Sequence, residues 1–393
     1  MLQAAEFQQE LANILRYWAT YVPDYEHGGF YGQLDNDNRP NPLAPKGSVL
    51  NARILWTFAA AYGHSRDPAH LAVAHRAYAY FTAHFIDPDF GGVYWTVDYL
   101  GQPLDTKKQL YALAFSIYGL AEYYRASGEA AALAHAQALF QVIEARSFDP
   151  GRGGYFEAFS REWQPLDDLR LSAKDANEQK TMNTHLHILE AYATLYQVWP
   201  DPALRRQLAA LLLDFADRII DPQTHHLRLF FDENWQPKPA AVSFGHDVEA
   251  AWLLLEAAET LREPGLIEHF RRVAVQLATA AAEGLAPDGS LRYELEPGGH
   301  WAADRHWWVQ AEAVVGFHTA YQTSGDAQFR ARSEEAWRFI QQHLLDRARG
   351  EWYWGVRADY SLMPGEDKAG LWKCPYHNGR TCLEMIRRLK AEA

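Results

Sequence analysis

Six copies of one short motif divide the chain at nearly even intervals. Each copy joins an acidic turn to a glycine or glycine pair and then to aromatic and β-branched residues, as in DPDFGGVYW at 87–95. The equivalent positions are Gly28, Gly91, Gly153, His225, Gly289 and Gly350, which lie 63, 62, 72, 64 and 61 residues apart. A period of this kind indicates a repeated supersecondary unit.

The fourth copy departs from this pattern. His225 and His226 stand there in place of the glycine pair that is typical of a tight turn. We therefore expect the fourth connection to differ in shape from the others.

Two helices are predicted between each copy and the next. After the first copy, 49–65 and 68–85 both place apolar residues at i, i+3, i+4 and i+7, which is the period of a helix. The helix that follows a copy directly is apolar almost all round, whereas the next one carries charged and polar residues on one face. The first kind should be buried on most faces and the second half-exposed.

Six inner and six outer helices in alternation predict a closed (α/α)6 barrel. The N-terminal helix would be the outer partner of the last inner helix, at 374–391. The motif copies become short β-hairpin connections from an outer to an inner helix. An open α-solenoid is the alternative, but such arrays need polar caps, and both ends of this chain are apolar. We expect an all-α fold and one catalytic domain over 1–393.

Composition excludes several classes of protein. The chain is 48% hydrophobic and 22% charged, too hydrophobic for a disordered protein. A net charge of −13 disfavours nucleic-acid partners. The sequence has no apolar run long enough for a membrane helix and no basic n-region of a signal peptide. Its two cysteines, Cys374 and Cys382, are poorly spaced for a disulfide, so we expect a reducing, cytoplasmic location.

Polar residues gather in the N-terminal turns of the predicted inner helices. Because every connection leads into such a turn, these turns should converge at one end of the barrel, where helix dipoles and an apolar floor suit a ligand. The candidates are Asn51, Arg53, Tyr111, Asn183, His187, His246, Glu249, Trp307, Trp308, Trp372 and His377, with Asp175 and Glu178 just ahead of the third inner helix. Burying so many polar groups independently would be costly, so we interpret them as one site.

Other histidines lack this convergence. His185 lies two residues from His187 and should face elsewhere, so we interpret it as structural. The same interpretation applies to His225, His226, His300, His306 and His318.

Three histidines and a carboxylate admit two kinds of chemistry. A zinc site is one, but the sequence has no H-E-x-x-H motif, and we expect neither a metal nor another cofactor. The other is proton transfer by His246 and His377, because imidazole, with a pKa of about 6.5, is both acid and base near neutral pH. Arg53 would then stabilise an enediolate oxygen, and Glu249, one turn from His246, would orient that ring.

Two further functions remain open on the residues alone. A glycoside hydrolase would need two carboxylates that flank the scissile bond, and Asp175, Glu178 and Glu249 are available. A non-catalytic sugar-binding protein would use the same aromatic residues and Arg53, but it would have no use for two opposed histidines.

Six blocks in order resemble a known family. They are 50–62, 109–124, NEQKTMNTHLHILEAY at 177–192, SFGHDVEAAWLL at 243–254, HWWVQAEAVVGF at 306–317 and KCPYHNGR at 373–380. The sequence resembles the N-acylglucosamine 2-epimerase superfamily over essentially its whole length, and within it the cellobiose 2-epimerases. This resemblance implies a metal-independent (α/α)6 barrel that interconverts reducing-end glucose and mannose units of β-1,4-linked disaccharides such as cellobiose and lactose.

The resemblance also implies a role for each candidate residue. His246 and His377 would be the acid/base pair at C2, Arg53 would stabilise a cis-enediolate, and Glu249 would support His246. His187 and Asn183 would bind near O1 and O2, Trp308 and Trp372 would stack on sugar rings, and Tyr111, Asp175 and Trp307 would complete the pocket. The implied partner is a small sugar, bound by a monomer or weak homodimer. Relatives that act on free mannose or N-acylglucosamine, and aldose–ketose isomerases, share much of this pattern.

Overall fold

A computed structural model describes residues 2–392, so the first and last residues of the predicted domain lie outside the described part. Twelve α-helices alternate between an inner and an outer ring within that range. The inner helices are α2 (Ser48–Ser65), α4 (Leu110–Ser127), α6 (Met182–Val198), α8 (Phe244–Leu261), α10 (Trp307–Ser324) and α12 (Tyr376–Glu392). The outer helices are α1 (Ala4–Thr20), α3 (Pro68–His84), α5 (Ala130–Arg146), α7 (Pro202–Asp214), α9 (Pro264–Ala281) and α11 (Ala327–Phe339).

The inner helices close into a ring. Each packs against the next along the chain, from α2 to α12, and α12 packs against α2. Every inner helix also packs on the outer helix paired with it, and α1 is the partner of α12; α4, α8 and α10 touch a second outer helix as well. The contact between α12 and α2 excludes the open solenoid, and the predicted (α/α)6 barrel is confirmed.

Burial differs between the two rings as the sequence pattern predicts. Helix α4 is buried over most of its length, including its polar residues Ser116 and Glu122, because other helices surround it. Helix α3 buries only one stripe, formed by Ala74, Ala77, Tyr80 and Phe81. The hydrophobic core therefore lies between the rings and inside the inner one.

Short strands join the rings. They are β1 (Lys46–Gly47), β2 (Thr96–Val97), β3 (Pro103–Asp105), β4 (Lys108–Gln109), β5 (Ala158–Phe159), β6 (Lys180–Thr181), β7 (Phe230–Phe231), β8 (Val242–Ser243), β9 (Glu294–Leu295), β10 (Trp301–Ala302), β11 (Arg305–His306) and β12 (Gly355–Val356). All pairings are antiparallel, in two three-stranded sheets (β1–β2–β3 and β8–β9–β10) and three two-stranded ones (β4–β5, β6–β7 and β11–β12).

The six motif copies form equivalent turns. Each is closed by one antiparallel bridge, and the bridges are Pro23–Phe30, Ile86–Val93, Phe148–Tyr155, Ile220–Leu227, Leu285–Leu291 and Leu345–Trp352. The first glycine position has a positive φ in every copy, for example 71° at Gly91 and 61° at His225. The difference in shape expected at the fourth copy is therefore not found, and His225 adopts the left-handed conformation itself.

In five of the six copies the aspartate at the start of the turn pairs with a cation, and in the fifth copy Asp288, two residues further along, pairs with Arg305 at 3.6 Å. In the second, Asp87 Oδ1 accepts the backbone N–H groups of Asp89 and Phe90, and its Oδ2 accepts from Lys108 Nζ at 2.7 Å. The other four pairs are Asp24–Lys46, Asp149–Lys180, Asp221–Arg228 and Asp346–Lys368. Where the cation stands just before an inner helix, as Lys108 does, the pair fixes the register at which the chain enters that helix.

No helix within residues 2–392 is both long and apolar enough to cross a membrane.

Candidate active site

A cavity of about 1070 Å³ opens at the end of the barrel where the inner helices begin. Eleven residues singled out in the sequence line it together: Arg53, Tyr111, Asp175, Asn183, His187, His246, Glu249, Trp307, Trp308, Trp372 and His377. Two other candidates do not line it. Asn51 donates from Nδ2 to the carbonyl of Gly47 at 2.8 Å, and Glu178 lies outside the lining.

His187 is held by a carboxylate on its own helix. Its Nδ1 lies 2.9 Å from Glu190 Oε2, and the two residues, three apart on α6, share one face. Burial, only partly offset by Glu190, lowers the pKa of His187. The neutral ring keeps Nδ1–H directed at Glu190, which leaves Nε2 free to accept a proton.

His377 is held by a carboxylate on a neighbouring helix. Its Nδ1 lies 2.7 Å from Glu312 Oε1 on α10, and Trp252 Nε1 donates to the other oxygen of Glu312 at 3.0 Å. Burial and then the positive charge of Arg53 hold the pKa of His377 well below its usual range. The ring is a buried base whose orientation is set through Nδ1.

Arg380 connects these carboxylates beneath the cavity. It donates to Glu190, and its Nη2 lies 2.6 Å from both Glu249 Oε1 and Glu312 Oε1. Burial alone would raise the pKa of Glu190, but Arg380 and the His187 contact outweigh it and lower that pKa to about 2. One guanidinium thus fixes the carboxylate partners of two cavity histidines.

His246 has a different kind of partner. Its Nδ1 lies 2.7 Å from the hydroxyl oxygen of Ser243, and burial, with the nearby His187, lowers its pKa to about 3. Glu249 does not orient His246 as the sequence suggested: its Oε1 accepts from Arg380 and lies 3.9 Å from Nδ1 of His377. The reason is tertiary, because Arg380 on α12 draws this carboxylate toward the barrel axis.

Glu249 has one carboxyl oxygen that no neighbouring group of the described chain binds. Its Oε2 is buried without a hydrogen-bond partner among residues 2–392. Burial and then the charge of Glu312 raise the pKa of Glu249 to about 8, so at neutral pH it is a protonated acid that can donate a hydrogen bond into the cavity.

Arg53 lies in an aromatic cage. Its guanidinium stacks 4.0 Å from the ring centre of Phe115 and 4.6 Å from that of Tyr376, and its Nη2 donates to the hydroxyl of Tyr111 at 2.6 Å. No carboxylate of residues 2–392 lies within ion-pair distance of it. A buried cation without a counter-ion favours negative charge that forms on a ligand beside it.

Trp308 lies near both acid/base candidates. Its ring centre is 4.8 Å from that of His246 and 5.7 Å from that of His377. Trp372, in the segment before α12, lies 6.0 Å from Tyr111, and Trp307 packs on Trp354 at 4.5 Å. The aromatic surfaces thus face the same space as the imidazoles.

Three further polar residues face the cavity. Asn183 Oδ1 is buried with no hydrogen-bond partner in the described part of the chain. Burial raises the pKa of Asp175. Glu157, which sequence reasoning missed, accepts from Thr181 and Thr184 at 2.8 Å each, and burial raises its pKa to about 7. These groups can bind hydroxyls of a ligand.

Glu249, Glu312 and His377 could in principle hold a metal ion, since one ligand atom of each lies within 4.8 Å of the others. However, Arg380 Nη2 is bonded at 2.6 Å to both carboxylates of this group. Its guanidinium already occupies the place of a cation, so these residues fit a metal poorly.

The histidines interpreted as structural fall into two groups. His185 uses both ring nitrogens on the backbone, with Thr181 O at 2.6 Å and Tyr155 N at 2.9 Å. His226 bonds Asp247 and His318 bonds Glu392, away from the cavity. His306 is interpreted as structural from the sequence, but it lines the cavity. Its ring stacks on that of Tyr293 with the ring centres 3.9 Å apart.

Some of the missed residues carried a local signal. Ser243 and Glu190 each lie three residues from a cavity histidine, and Arg380 lies three residues after His377, a spacing that places each pair on one helix face or at its start. Glu312 carried none, since 65 residues separate it from His377.

Comparison with known proteins places the chain in a family. The sequence model of the N-acylglucosamine 2-epimerase family matches residues 28–379. The chain belongs to the N-acylglucosamine 2-epimerase family. It is thus a carbohydrate 2-epimerase, an isomerase, as the resemblance of its sequence blocks implied.

Relatives within this family match the epimerase along nearly its whole length. The cellobiose 2-epimerase of Bacteroides fragilis is 52% identical over 97% of this chain and 98% of its own. That of Ruminococcus albus is 39% identical over 98% of this chain and 99% of its own. The solved structure of the cellobiose 2-epimerase from Spirochaeta thermophila superposes with a TM-score of 0.94 at 41% identity, covering 99% of this chain and 97% of that one.

Proposed function

We propose that this epimerase is a cellobiose 2-epimerase, which interconverts glucose and mannose at the reducing end of β-1,4-linked disaccharides such as cellobiose and lactose. The observation that carries the proposal is that two imidazoles, those of His246 and His377, line one cavity and both pack near Trp308, with ring centres 4.8 and 5.7 Å from that of the indole. The similarity to cellobiose 2-epimerases over the full chain supports the choice of substrate.

In the proposed reaction, the two imidazoles act on opposite faces of C2. One takes the C2 proton of the open-chain sugar on Nε2, and the electron pair of the broken C–H bond forms the C1=C2 bond of a cis-enediolate. Burial lowers the pKa of both rings in the free enzyme, so the other imidazole takes up a proton from solvent in the reactive complex, where the negative enediolate favours its charged form, and gives that proton to the opposite face of C2. The exchange leaves the pair with one proton, on the partner ring, and the product is the 2-epimer.

The other charged groups of the cavity suit the proposed reaction. Arg53, which has no carboxylate beside it within residues 2–392, is placed to stabilise the enediolate oxygen. Glu312, bonded to Nδ1 of His377, would stabilise that ring when it is protonated. Protonated Glu249 and the neutral His187, with Asn183, would bind O1 and O2 and assist ring opening.

The cavity has room for more than one sugar ring. Its volume of about 1070 Å³ lies at the upper end of the range for small-molecule sites. Trp308 and Trp372 offer faces on which sugar rings can stack, and Asp175 on the 172–180 loop can reach hydroxyls of a second unit. We therefore favour a disaccharide over free mannose or N-acylglucosamine.

Hydrolysis is a weaker candidate. A glycosidase needs two carboxylates free to flank a glycosidic oxygen. Glu249 is bonded to Arg380 at the cavity floor, and Glu178 lies outside the cavity lining.

One labelling experiment tests the proposal. Cellobiose, lactose, mannose and N-acetylglucosamine are incubated with the enzyme in D2O, and the products are analysed by NMR. We expect deuterium at C2, together with the mannose-ended epimer, from the two disaccharides, and no loss of rate in EDTA. Label at C1 with a ketose product would indicate an isomerase, and the absence of exchange in all four sugars would exclude the proposed chemistry.

We infer further that the chain acts as one catalytic domain, as a monomer or weak homodimer in the cytoplasm. Both cysteines, Cys374 and Cys382, are buried free thiols, which suits a reducing compartment. Size-exclusion chromatography with light scattering tests the oligomeric state.

A further inference from the structure

Three of the histidines that line the cavity, His187, His246 and His377, differ in the group that holds Nδ1. His187 and His377 face carboxylate oxygens at 2.9 and 2.7 Å, whereas His246 faces the hydroxyl oxygen of Ser243 at 2.7 Å. The proton-transfer pair is therefore asymmetric: one ring has a charged partner and the other a neutral one.

The Ser243 hydroxyl does not cap its helix. Ser243 stands at the N-cap of α8, with φ −104° and ψ 96°, and a serine there usually accepts a hydrogen bond from a backbone N–H of the first helical turn. Within residues 2–392 its side chain makes no such bond. At the equivalent position of α6, Thr181 does cap its helix, accepting from the Thr184 N–H at 3.2 Å.

The surroundings hold this contact in place. Ser243 is buried and lies opposite Glu294 in the pairing of β8 with β9. The imidazole of His246 packs against Trp308, with ring centres 4.8 Å apart. With Nδ1 directed at Ser243, the ring presents Nε2 to the cavity that His246 lines.

We propose that Ser243 is the positioning residue of His246, with Oγ accepting a hydrogen bond from Nδ1–H throughout the reaction. This inference rests on the proposed function. When His246 is the base, the C2–H bond breaks, the proton moves to Nε2, and the electron pair enters the enediolate, while Nδ1–H stays on Ser243. When His246 is the acid, the same proton leaves Nε2 and the contact to Ser243 is again unchanged.

A hydroxyl suits this place better than a carboxylate. The floor of the cavity already holds Glu190, Glu249 and Glu312 around a single Arg380. A fourth carboxylate at position 243 would add uncompensated negative charge and would hold His246 in the imidazolium form. The hydroxyl orients the ring without favouring either protonation state by its charge.

Three variants separate positioning from folding. Ser243→Ala should lower kcat for cellobiose roughly tenfold to hundredfold with KM within about twofold, and should leave the melting temperature unchanged because no helix cap is lost. Ser243→Thr keeps the hydroxyl and should restore most of kcat. Thr181→Ala, which removes a real cap, should lower the melting temperature. Wild-type kcat in Ser243→Ala, or equal losses in the Ala and Thr variants, would overturn the inference.

A second measurement needs no substrate. Burial lowers the pKa of His246 to about 3, so ¹⁵N NMR at pH 7 observes the neutral ring, assigned by difference from His246→Asn. We expect the Nδ1–H tautomer in the wild type and a mixture of tautomers in Ser243→Ala. An Nε2–H tautomer in the wild type contradicts the inference even in an active enzyme. Conversely, a protein that epimerises no sugar but has His246 in the Nδ1–H tautomer would refute the proposed function. The Ser243–His246 contact would still be supported.

Discussion

The connections and the cavity floor both bury charge, but they balance it differently. In several connections a buried aspartate is paired with a lysine, as in Asp24–Lys46 and Asp149–Lys180, both at 2.8 Å. In the cavity floor three glutamates share Arg380, while Arg53 has no carboxylate partner within residues 2–392. The Asp–Lys pairs stabilise the fold, whereas the unpaired charge of Arg53 is available to interact with a substrate.

Their pKa shifts follow the same division. Lys46 and the turn amides, acting against burial, lower the pKa of Asp24, and Lys180 does the same for the pKa of Asp149. Around the cavity, burial dominates and raises the pKa of Glu157 to about 7 and that of Glu249 to about 8. At neutral pH the aspartates of these connections are thus ionised, whereas Glu249 in the cavity is mostly protonated and Glu157 titrates near pH 7.

The largest contrast is expected from the cavity histidines. His377→Asn should lower kcat/KM for cellobiose by roughly 10²–10⁴-fold, the usual contribution of a general acid or base, with little change in melting temperature. His185→Gln is the matched control, since both nitrogens of His185 bond the backbone: it should lower the melting temperature and retain kcat. Near-wild-type activity of His377→Asn would contradict the two-histidine scheme.

A connection should show the opposite result. Lys46→Met leaves the buried carboxylate of Asp24 without its cation, which should lower the free energy of unfolding by about 3–5 kcal/mol, while kcat at a temperature where the variant is folded stays unchanged. Urea denaturation measures the first and the cellobiose assay the second. In Arg39→Met, which removes an exposed pair with Asp37, the loss should stay below about 1 kcal/mol.

The pH dependence of the free energy of unfolding tests the raised pKa of a cavity carboxyl. Because burial raises the pKa of Glu157 from 4.5 to about 7, the folded state keeps a proton that the unfolded state loses, so stability falls as pH rises from 4.5 to 7. Glu157→Gln removes this titration. Its unfolding free energy relative to wild type should therefore increase by up to about 3 kcal/mol across that window. A difference that is constant from pH 5 to 8 would refute the buried, protonated carboxyl.

The smallest effect is expected within the connections themselves. His225 has φ 61° where the other copies have glycine, and a left-handed backbone costs a non-glycine residue about 1–2 kcal/mol. His225→Gly should therefore stabilise the protein, by less than about 1 kcal/mol after the greater entropy of glycine in the unfolded chain is subtracted. A lower melting temperature in calorimetry would show that the His225 side chain itself stabilises the turn.

The sequence by itself determined the repeat, the barrel and eleven of the residues that line the cavity. These follow from local rules: apolar periodicity distinguishes inner from outer helices, and a turn of constant design leads into every inner helix. The first turns of six helices must then meet at one end. Arg53, Asn183, His187, His246 and His377 could therefore be grouped without coordinates.

Only the tertiary structure decided which partner each of these residues has. Glu312 reaches His377 from another helix, and Arg380 draws Glu249 away from His246. Ser243 contacts the imidazole of His246 instead of capping the backbone of α8, although Thr181 at the same position caps α6. The physical reason is that periodicity specifies the face on which a side chain lies, but hydrogen bonds depend on distances of about 3 Å, which are set by how the helices pack.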